Sequence, residues 1–280
     1  MRIDLHTHTT FSDGTDTPTE LLTHARTEGL DVVAIMDHDS TSGWDEAEQA
    51  AHTNGVALVR GTETSARYNG VSVHLLSYLH DPHHQAYVAQ NEKAQDARVS
   101  RAYRIVEALK ADFNITWEDV LAQTSEGATI GRPHIADALV ATGQMPDRPS
   151  VFEEILCSGS KYYVAHYAPD ALEAIQTIRA AGGVAVFAHP GATTRGRVVP
   201  DAAVEAMVEA GLQGLEIHHR DNPTEQQARL TELARKHDLL ITGSSDYHGD
   251  GKPNRLGENT THPEVFRAIE ELGVTPVVRP

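Results

Sequence analysis

Short apolar runs alternate with amphipathic stretches along most of the chain, and the alternation predicts strands and helices in turn. Residues 2–5 read as a first strand. Thr17-Pro18-Thr19-Glu20 then predicts a helix start: Thr17 can cap, Pro18 suits the first helical position and Glu20 completes a capping box. That helix is expected to stop at Gly29. Residues 31–36 predict a buried strand, 44–54 a helix closed by Gly55, 56–59 the next strand and 71–78 a further one. The pattern changes after Leu79-His80-Asp81-Pro82. From residue 85 to about 110 it predicts one long helix, then short helical pieces to about 163 with no convincing strand, so 81–165 reads as a helical insert. Alternation resumes with a helix over 169–181 and strands at 184–188, 214–217 and 239–242. Repeated βα units predict a parallel sheet, and their number favours a barrel over an open sheet. The expected organisation is an α/β barrel of residues 1–80 and 166–280 interrupted by the insert.

At 280 residues and 40% hydrophobic, the chain can bury a large core as one big domain with an insert. No segment approaches the ~18 consecutive apolar residues of a membrane span. The N-terminus lacks the basic and apolar regions of a signal peptide, so no membrane association and a cytoplasmic location are expected. The single cysteine, Cys157, excludes an internal disulfide framework and a thiolate-rich zinc cluster; it reads as a buried inert thiol. A formal charge of −17 should repel long nucleic acid, yet a small anionic substrate can still bind beside metal cations.

The chemistry concentrates where strands should end. In His6-Thr7-His8 alternate residues share a face, so both imidazoles can grip one ion. Asp246-Tyr247-His248 repeats the device, and between them stand Asp13, Asp37-His38, Glu63, His74 and His189. A lone histidine is more often a surface or core residue, but so many ligand-type side chains after apolar runs are hard to explain that way. In parallel α/β folds functional groups gather at the carboxyl ends of strands, and His6, His38, Glu63, His189 and Asp246 fall at or just past such ends. Imidazoles and carboxylates suit Mn²⁺, Fe²⁺ or Zn²⁺. Gly182-Gly183 lacks a following Gly-Lys-Ser/Thr and reads as a helix cap, and no Gly-x-Ser-x-Gly elbow occurs. From the ligands alone, amide and phosphoester hydrolysis both remain open.

Asp4-Leu5-His6-Thr7-His8, Ser12-Asp13-Gly14, Asp37-His38, Gly61-Thr62-Glu63, His74, His189-Pro190-Gly191 and Ser245-Asp246-Tyr247-His248 resemble, in order and spacing, the motifs of the polymerase and histidinol phosphatase (PHP) family. The resemblance implies a distorted (β/α)7 barrel with two to three divalent metal ions that hydrolyses phosphoesters. It implies that His6, His8, Glu63 and Asp246 hold one ion, that Glu63 bridges to a second held also by His74 and His189, and that Asp13, His38 and His248 hold a third. A hydroxide shared by two ions would attack phosphorus, and Asp37 would orient an imidazole.

The insert, with Gly131-Arg132-Pro133-His134, resembles the branch that removes the 3′-phosphate from nucleoside 3′,5′-bisphosphates, giving products such as AMP, and trims short RNA from its 5′ end. Ser12, Arg132, His134, His219 and Arg220 are then expected at the substrate, a small nucleotide or short oligonucleotide. The alternatives are a histidinol-phosphate phosphatase, against which the insert argues, and a non-catalytic or proofreading metal module associated with a polymerase. Tyr162, Tyr163 and Tyr167 form either a core cluster or a base-stacking surface. Glu216 reads as a structural strand residue.

Overall fold

The computed structural model describes residues 1–157, 159–165 and 167–280. Seven strands form one sheet in chain order: β1 (Ile3–Thr7), β2 (Val32–Ile35), β3 (Ala57–Tyr68), β4 (Val71–Tyr78), β5 (Val184–Phe187), β6 (Gly214–His218) and β7 (Leu240–Gly243). Around and between them run helices α1 (Pro18–Thr27), α2 (Trp44–Asn54), α3 (Gln85–Leu109), α4 (Trp117–Leu121), α5 (Arg132–Ala141), α6 (Arg148–Glu154), α7 (Ala171–Ala180), α8 (Asp201–Glu209), α9 (Thr224–Lys236) and α10 (Pro263–Leu272). The sheet is nearly closed into a barrel: Thr7 bridges Tyr247, and the His8 amide donates to the Tyr247 carbonyl at 2.8 Å, which brings β1 beside the chain that leaves β7.

The sheet is mixed, which corrects the expectation of a parallel one. β3–β4 and β4–β5 are antiparallel; β1–β2, β2–β3, β5–β6 and β6–β7 are parallel. The strand expected over 56–59 continues to Tyr68, where Asn69 and Gly70 take φ of 46° and 78°. Two positive φ values in a two-residue turn match the twist of paired strands, so β4 folds straight back along β3. Glu63 consequently lies within a hairpin arm, beyond the end of the parallel ladder at Ile35–Arg60.

Local sequence accounts for the first βα unit. The Thr17 amide donates to Glu20 Oε2 at 2.8 Å and Thr17 Oγ1 accepts from the Glu20 amide at 3.2 Å, with Pro18 opening the helix. Leu21, Leu22 and Ala25 on one face of α1 pack with Trp44, Ala47 and Ala51 of α2, each large side chain contributing about 1.5–3 kcal/mol by leaving water. A second apolar layer, with Ile3, Leu5, Met36, Val59, Leu76 and Val186, joins Phe266 and Ile269 of α10 inside the barrel.

Between β4 and α7 no strand occurs among the described residues. This stretch has its own apolar cluster, including Val106, Leu109, Ile115, Val120, Ile135, Leu139 and Val151. Helix α3 belongs to both cores: Tyr87 packs with Val73 and Leu75 of the barrel, whereas Ala102 to Leu109 lie in the helical cluster. Arg98 Nε reaches Asp39 Oδ2 at 2.8 Å and Gln95 Nε2 the Asp39 carbonyl at 2.6 Å, fastening that helix beside His38. Cys157 is half-buried, a correction to the buried thiol expected. No helix among the described residues is long and apolar enough to cross a membrane.

Candidate metal centre

Glu63 is the hub. Its Oε2 lies 3.3 Å from His6 Nε2, 3.0 Å from His8 Nε2 and 3.3 Å from His38 Nδ1, and its Oε1 lies 2.7 Å from His74 Nδ1 and 3.2 Å from His189 Nε2. Five imidazoles, two from β1 and its exit, one from β4 and one each from the loops after β2 and β5, thus surround one buried carboxylate. Asp246 Oδ1 adds contacts of 3.5 Å to His6 and 3.4 Å to His8. Asp13 faces His248 at 3.2 Å, His8 at 3.7 Å and His38 at 3.8 Å. Three groups have ligand atoms close enough to share an ion: His6, His8, Glu63 and Asp246; His8, Asp13, His38 and His248; and His38, Glu63 and His74. His189 stands outside these groups while touching Glu63.

The donor set fits divalent cations. His6 Nε2 and His8 Nε2 lie 3.1 Å apart, a separation that two lone pairs tolerate only around a proton or a metal. Asp13 Oδ1, His38 Nδ1, Asp246 Oδ1 and His248 Nε2 are buried without hydrogen-bond partners, a cost that coordination would remove. The backbone is bent to this end, since Asp39, His189 and Asp246 hold φ of 54°, 34° and 54°; strain of about 1–3 kcal/mol per residue persists where surrounding structure enforces it.

Several residues outside the ligand list aim the ligands. Glu216, read from sequence as structural, accepts from His6 Nδ1 at 2.9 Å and from the His189 amide at 2.8 Å. That bond keeps the His6 proton on Nδ1 and turns Nε2 toward the centre. Asn222 in turn donates to the Glu216 carbonyl at 2.9 Å and accepts from the Gly191 amide at 2.9 Å. Asp4 accepts from the amides of Ser245 at 3.0 Å and Gly257 at 2.8 Å, anchoring the Asp246 loop to β1; burial nonetheless lifts its carboxyl to about 6. The signal for Asp4 and Glu216 was a carboxylate within an otherwise apolar strand.

Arg195 and Lys252 carried no such signal. Arg195 Nη2 meets Asp246 Oδ2 at 2.6 Å and its Nε meets Asp221 at 2.7 Å, while Lys252 Nζ meets Asp246 Oδ2 at 3.1 Å. Burial opposes the Arg195 charge, but Asp246 and Asp221 outweigh it and hold the guanidinium above its ordinary value.

The expected substrate residues divide. Ser12 is buried: its Oγ donates to Asp37 at 2.6 Å and stands 3.3 Å from His8 Nδ1, which links Asp37 to His8. Asp37 binds the Thr9 amide at 2.8 Å, Thr9 Oγ1 at 2.6 Å and Ser12, and so acts on His8 through a serine and not on an imidazole directly. Arg220 pairs with Glu258 at 2.8 Å, on the wall of a surface cavity that His219 also lines. His219 is buried, with Nε2 3.6 Å from Asp246 Oδ2. Arg132 donates to the Leu156 carbonyl at 2.9 Å and lies over Phe152 at 5.5 Å. His134 Nδ1 caps α5 by accepting from the Gly131 amide at 3.1 Å, and the residue lines a 440 Å³ cavity with Thr10, Gly14, Asp137 and Arg148. Tyr162 is buried; Tyr163 and Tyr167 are exposed.

The imidazoles separate by charge. Burial pushes His6 down, but Glu216, Glu63 and Asp246 overcome it and hold it well above its ordinary value. Burial is likewise outweighed at His8, which Asp246 and Glu63 raise to about 9. Burial dominates at His248, lowered to about 4, and at His189, lowered to about 3 with help from Arg195. With no metal bound, the His6–His8 pair therefore holds a proton at pH 7, which it must lose to coordinate an ion. Metal uptake at pH 7 should release protons, and affinity should fall as pH drops. Calorimetric Mn²⁺ titration in buffers of different ionisation enthalpy measures this; binding without proton release would contradict the protonated pair.

A nearly closed α/β barrel with a buried imidazole–carboxylate cluster at the strand ends is the architecture of a metal-dependent hydrolase. The PHP domain family matches residues 4–182. The chain is 30% identical over 280 residues to a 3′,5′-nucleoside bisphosphate phosphatase of Chromobacterium violaceum, covering 99% of this chain and 98% of that protein. It is 33% identical over 260 residues to a 5′-3′ exoribonuclease of Haemophilus influenzae, covering 92% and 94%. A solved structure from Bifidobacterium adolescentis, assigned as a metal-dependent phosphoesterase, superposes with a TM-score of 0.96 at 49% identity, covering 97% and 96%. This chain belongs to the PHP family and is a metal-dependent phosphoesterase.

Proposed function

We propose that the enzyme removes the 3′-phosphate from nucleoside 3′,5′-bisphosphates, leaving a nucleoside 5′-monophosphate such as AMP, and that it also trims short 5′-phosphorylated oligoribonucleotides. The observation that carries this reading is the placing of cations on two sides of one cluster. Arg195 and Lys252 border Asp246, while Arg98, holding Asp39 beside His38, and Arg132 mark the helical side. Two separated cationic positions suit a substrate with two phosphates, and the bisphosphate phosphatase and exoribonuclease relatives support the same class.

Two to three divalent ions, Mn²⁺, Fe²⁺ or Zn²⁺, fit the three ligand groups. When bound they supply an activated water and positive charge for the phosphoryl oxygens. The chain does the rest. Glu63 holds five imidazoles together, Glu216 orients His6, and Ser12 with Asp37 orients His8. Arg195 Nη1, the edge not committed to Asp246 or Asp221, is available to a phosphoryl oxygen as a planar donor. The acidic surface disfavours long nucleic acid, and we place the reaction in the cytoplasm.

With Mn²⁺ present, kcat/KM for adenosine 3′,5′-bisphosphate should exceed that for histidinol phosphate by roughly 100-fold or more, because a site with a second phosphate-binding position discriminates strongly against a substrate that leaves it unfilled. Comparable or reversed values would overturn the substrate reading and leave the metal centre standing.

A further inference from the structure

Tyr163 and Tyr167 are 41% and 40% exposed, and each carries a cation. The Arg101 guanidinium lies 5.6 Å from the Tyr163 ring centroid, and Lys93 Nζ lies 3.9 Å from that of Tyr167. Neither ring sits on loose backbone: Arg101 Nε donates to the Val164 carbonyl at 2.8 Å, and the Arg67 amide donates to the Pro169 carbonyl at 2.9 Å. The second bond docks the tyrosine segment on β3, the strand that carries Glu63. Glu63, Ser65 and Arg67 project from one face of that strand, which places the Arg67 backbone about 13 Å from Glu63 at ~3.3 Å per residue.

Along this path the guanidiniums outnumber their partners. Arg98 pairs with Asp39 at 2.8 Å, whereas among the described residues Arg67, Arg101 and Arg132 have no ion-pair partner and Arg67 Nε is buried without any hydrogen bond. Burial, and then the like charges of Arg132, Arg98 and Arg67, pull Arg101 down to about 10, a repulsion that an arriving phosphate would relieve. In a chain of net charge −17, such a group of unpaired cations beside exposed aromatic faces needs an anionic, flat-ringed occupant.

We propose that the surface formed by α3, the β3–β4 hairpin and Tyr163 and Tyr167 binds the nucleotides that follow the reacting one in a single-stranded oligoribonucleotide, with bases on the two tyrosines and phosphates on Arg67 and Arg101. This deepens the nucleotide reading above and rests on it. Base stacking on aromatic rings with cations along the backbone is the general solution for single strands, and it tolerates any sequence.

The test is fluorescence anisotropy on the Mn²⁺-loaded full chain, with a 5′-phosphorylated, phosphorothioate-linked tetraribonucleotide labelled at its 3′ end. The double variant Tyr163→Ala/Tyr167→Ala should raise its Kd about 30-fold or more, and Tyr163→Phe/Tyr167→Phe should restore binding, since stacking needs the ring alone. The alanine variant should weaken the tetraribonucleotide at least tenfold more than it weakens adenosine 3′,5′-bisphosphate in competition. An unchanged Kd, or equal losses on both ligands, would overturn the proposal. If the tyrosines govern oligonucleotide binding while the wild-type chain hydrolyses no nucleotide ester, the binding surface stands and the proposed reaction falls.

Discussion

Glu63→Gln should reduce kcat on the order of 10³-fold or more, the scale of losing metal-based charge stabilisation, while the chain stays folded. The two side chains are nearly isosteric, so the hairpin that carries residue 63 has no reason to rearrange. The difference is electrostatic: five imidazole nitrogens lie within 3.3 Å of the two carboxylate oxygens, and an amide replaces one of those oxygens by a donor. Two of the three potential ion sites lose their shared anion. Phosphate release at saturating Mn²⁺ together with metal content checks this. A variant within tenfold of wild-type kcat would mean that Glu63 is not the hub of the centre.

Glu216→Ala should weaken Mn²⁺ binding by about 10- to 100-fold, the usual cost of removing a carboxylate that orients a ligating histidine. Glu216 fixes two expected ligands from different parts of the fold, through His6 Nδ1 at 2.9 Å and the His189 amide at 2.8 Å. Burial opposes its charge, yet the His6 imidazole chiefly holds the carboxyl down at about 2, so it is ionised throughout the neutral range. Its loss frees His6 to rotate and leaves a buried amide unpaired. Because Glu216 acts through His6, much of the lost kcat should return as Mn²⁺ is raised, and Glu216→Gln, which keeps one acceptor, should lie between. Unaltered metal affinity in the alanine variant would remove it from this role.

What the sequence made legible was whatever depends on local period and spacing. His6 and His8 could be placed on one face because strand alternation is two residues, and the α1 capping box lies within four consecutive positions. The antiparallel hairpin was equally legible in Asn69-Gly70, but the surrounding alternation of strand and helix drew the reading toward βα units. Other features depend on distant pairing. The partners of Ser12 and Arg220, Asp37 and Glu258, lie 25 and 38 residues away and could not be read from local spacing. Arg195 closes a three-residue 3-10 turn (Thr193–Arg195) and acquires meaning only from Asp246, 51 residues on. Glu216 was visible as a carboxylate in an apolar strand, yet its partner is 210 residues away in β1.

The central claim is that the Glu63-centred cluster is a metal site that hydrolyses a nucleotide phosphoester. The most direct measurement is a titration of Mn²⁺ into the chelator-stripped protein, following bound metal and inorganic phosphate released from adenosine 3′,5′-bisphosphate in the same samples. The account predicts no turnover without metal, turnover that rises with site occupancy and saturates at two to three ions per chain, and AMP as the product. Undiminished phosphate release in chelator, or full metal occupancy with no hydrolysis of the bisphosphate, would contradict it.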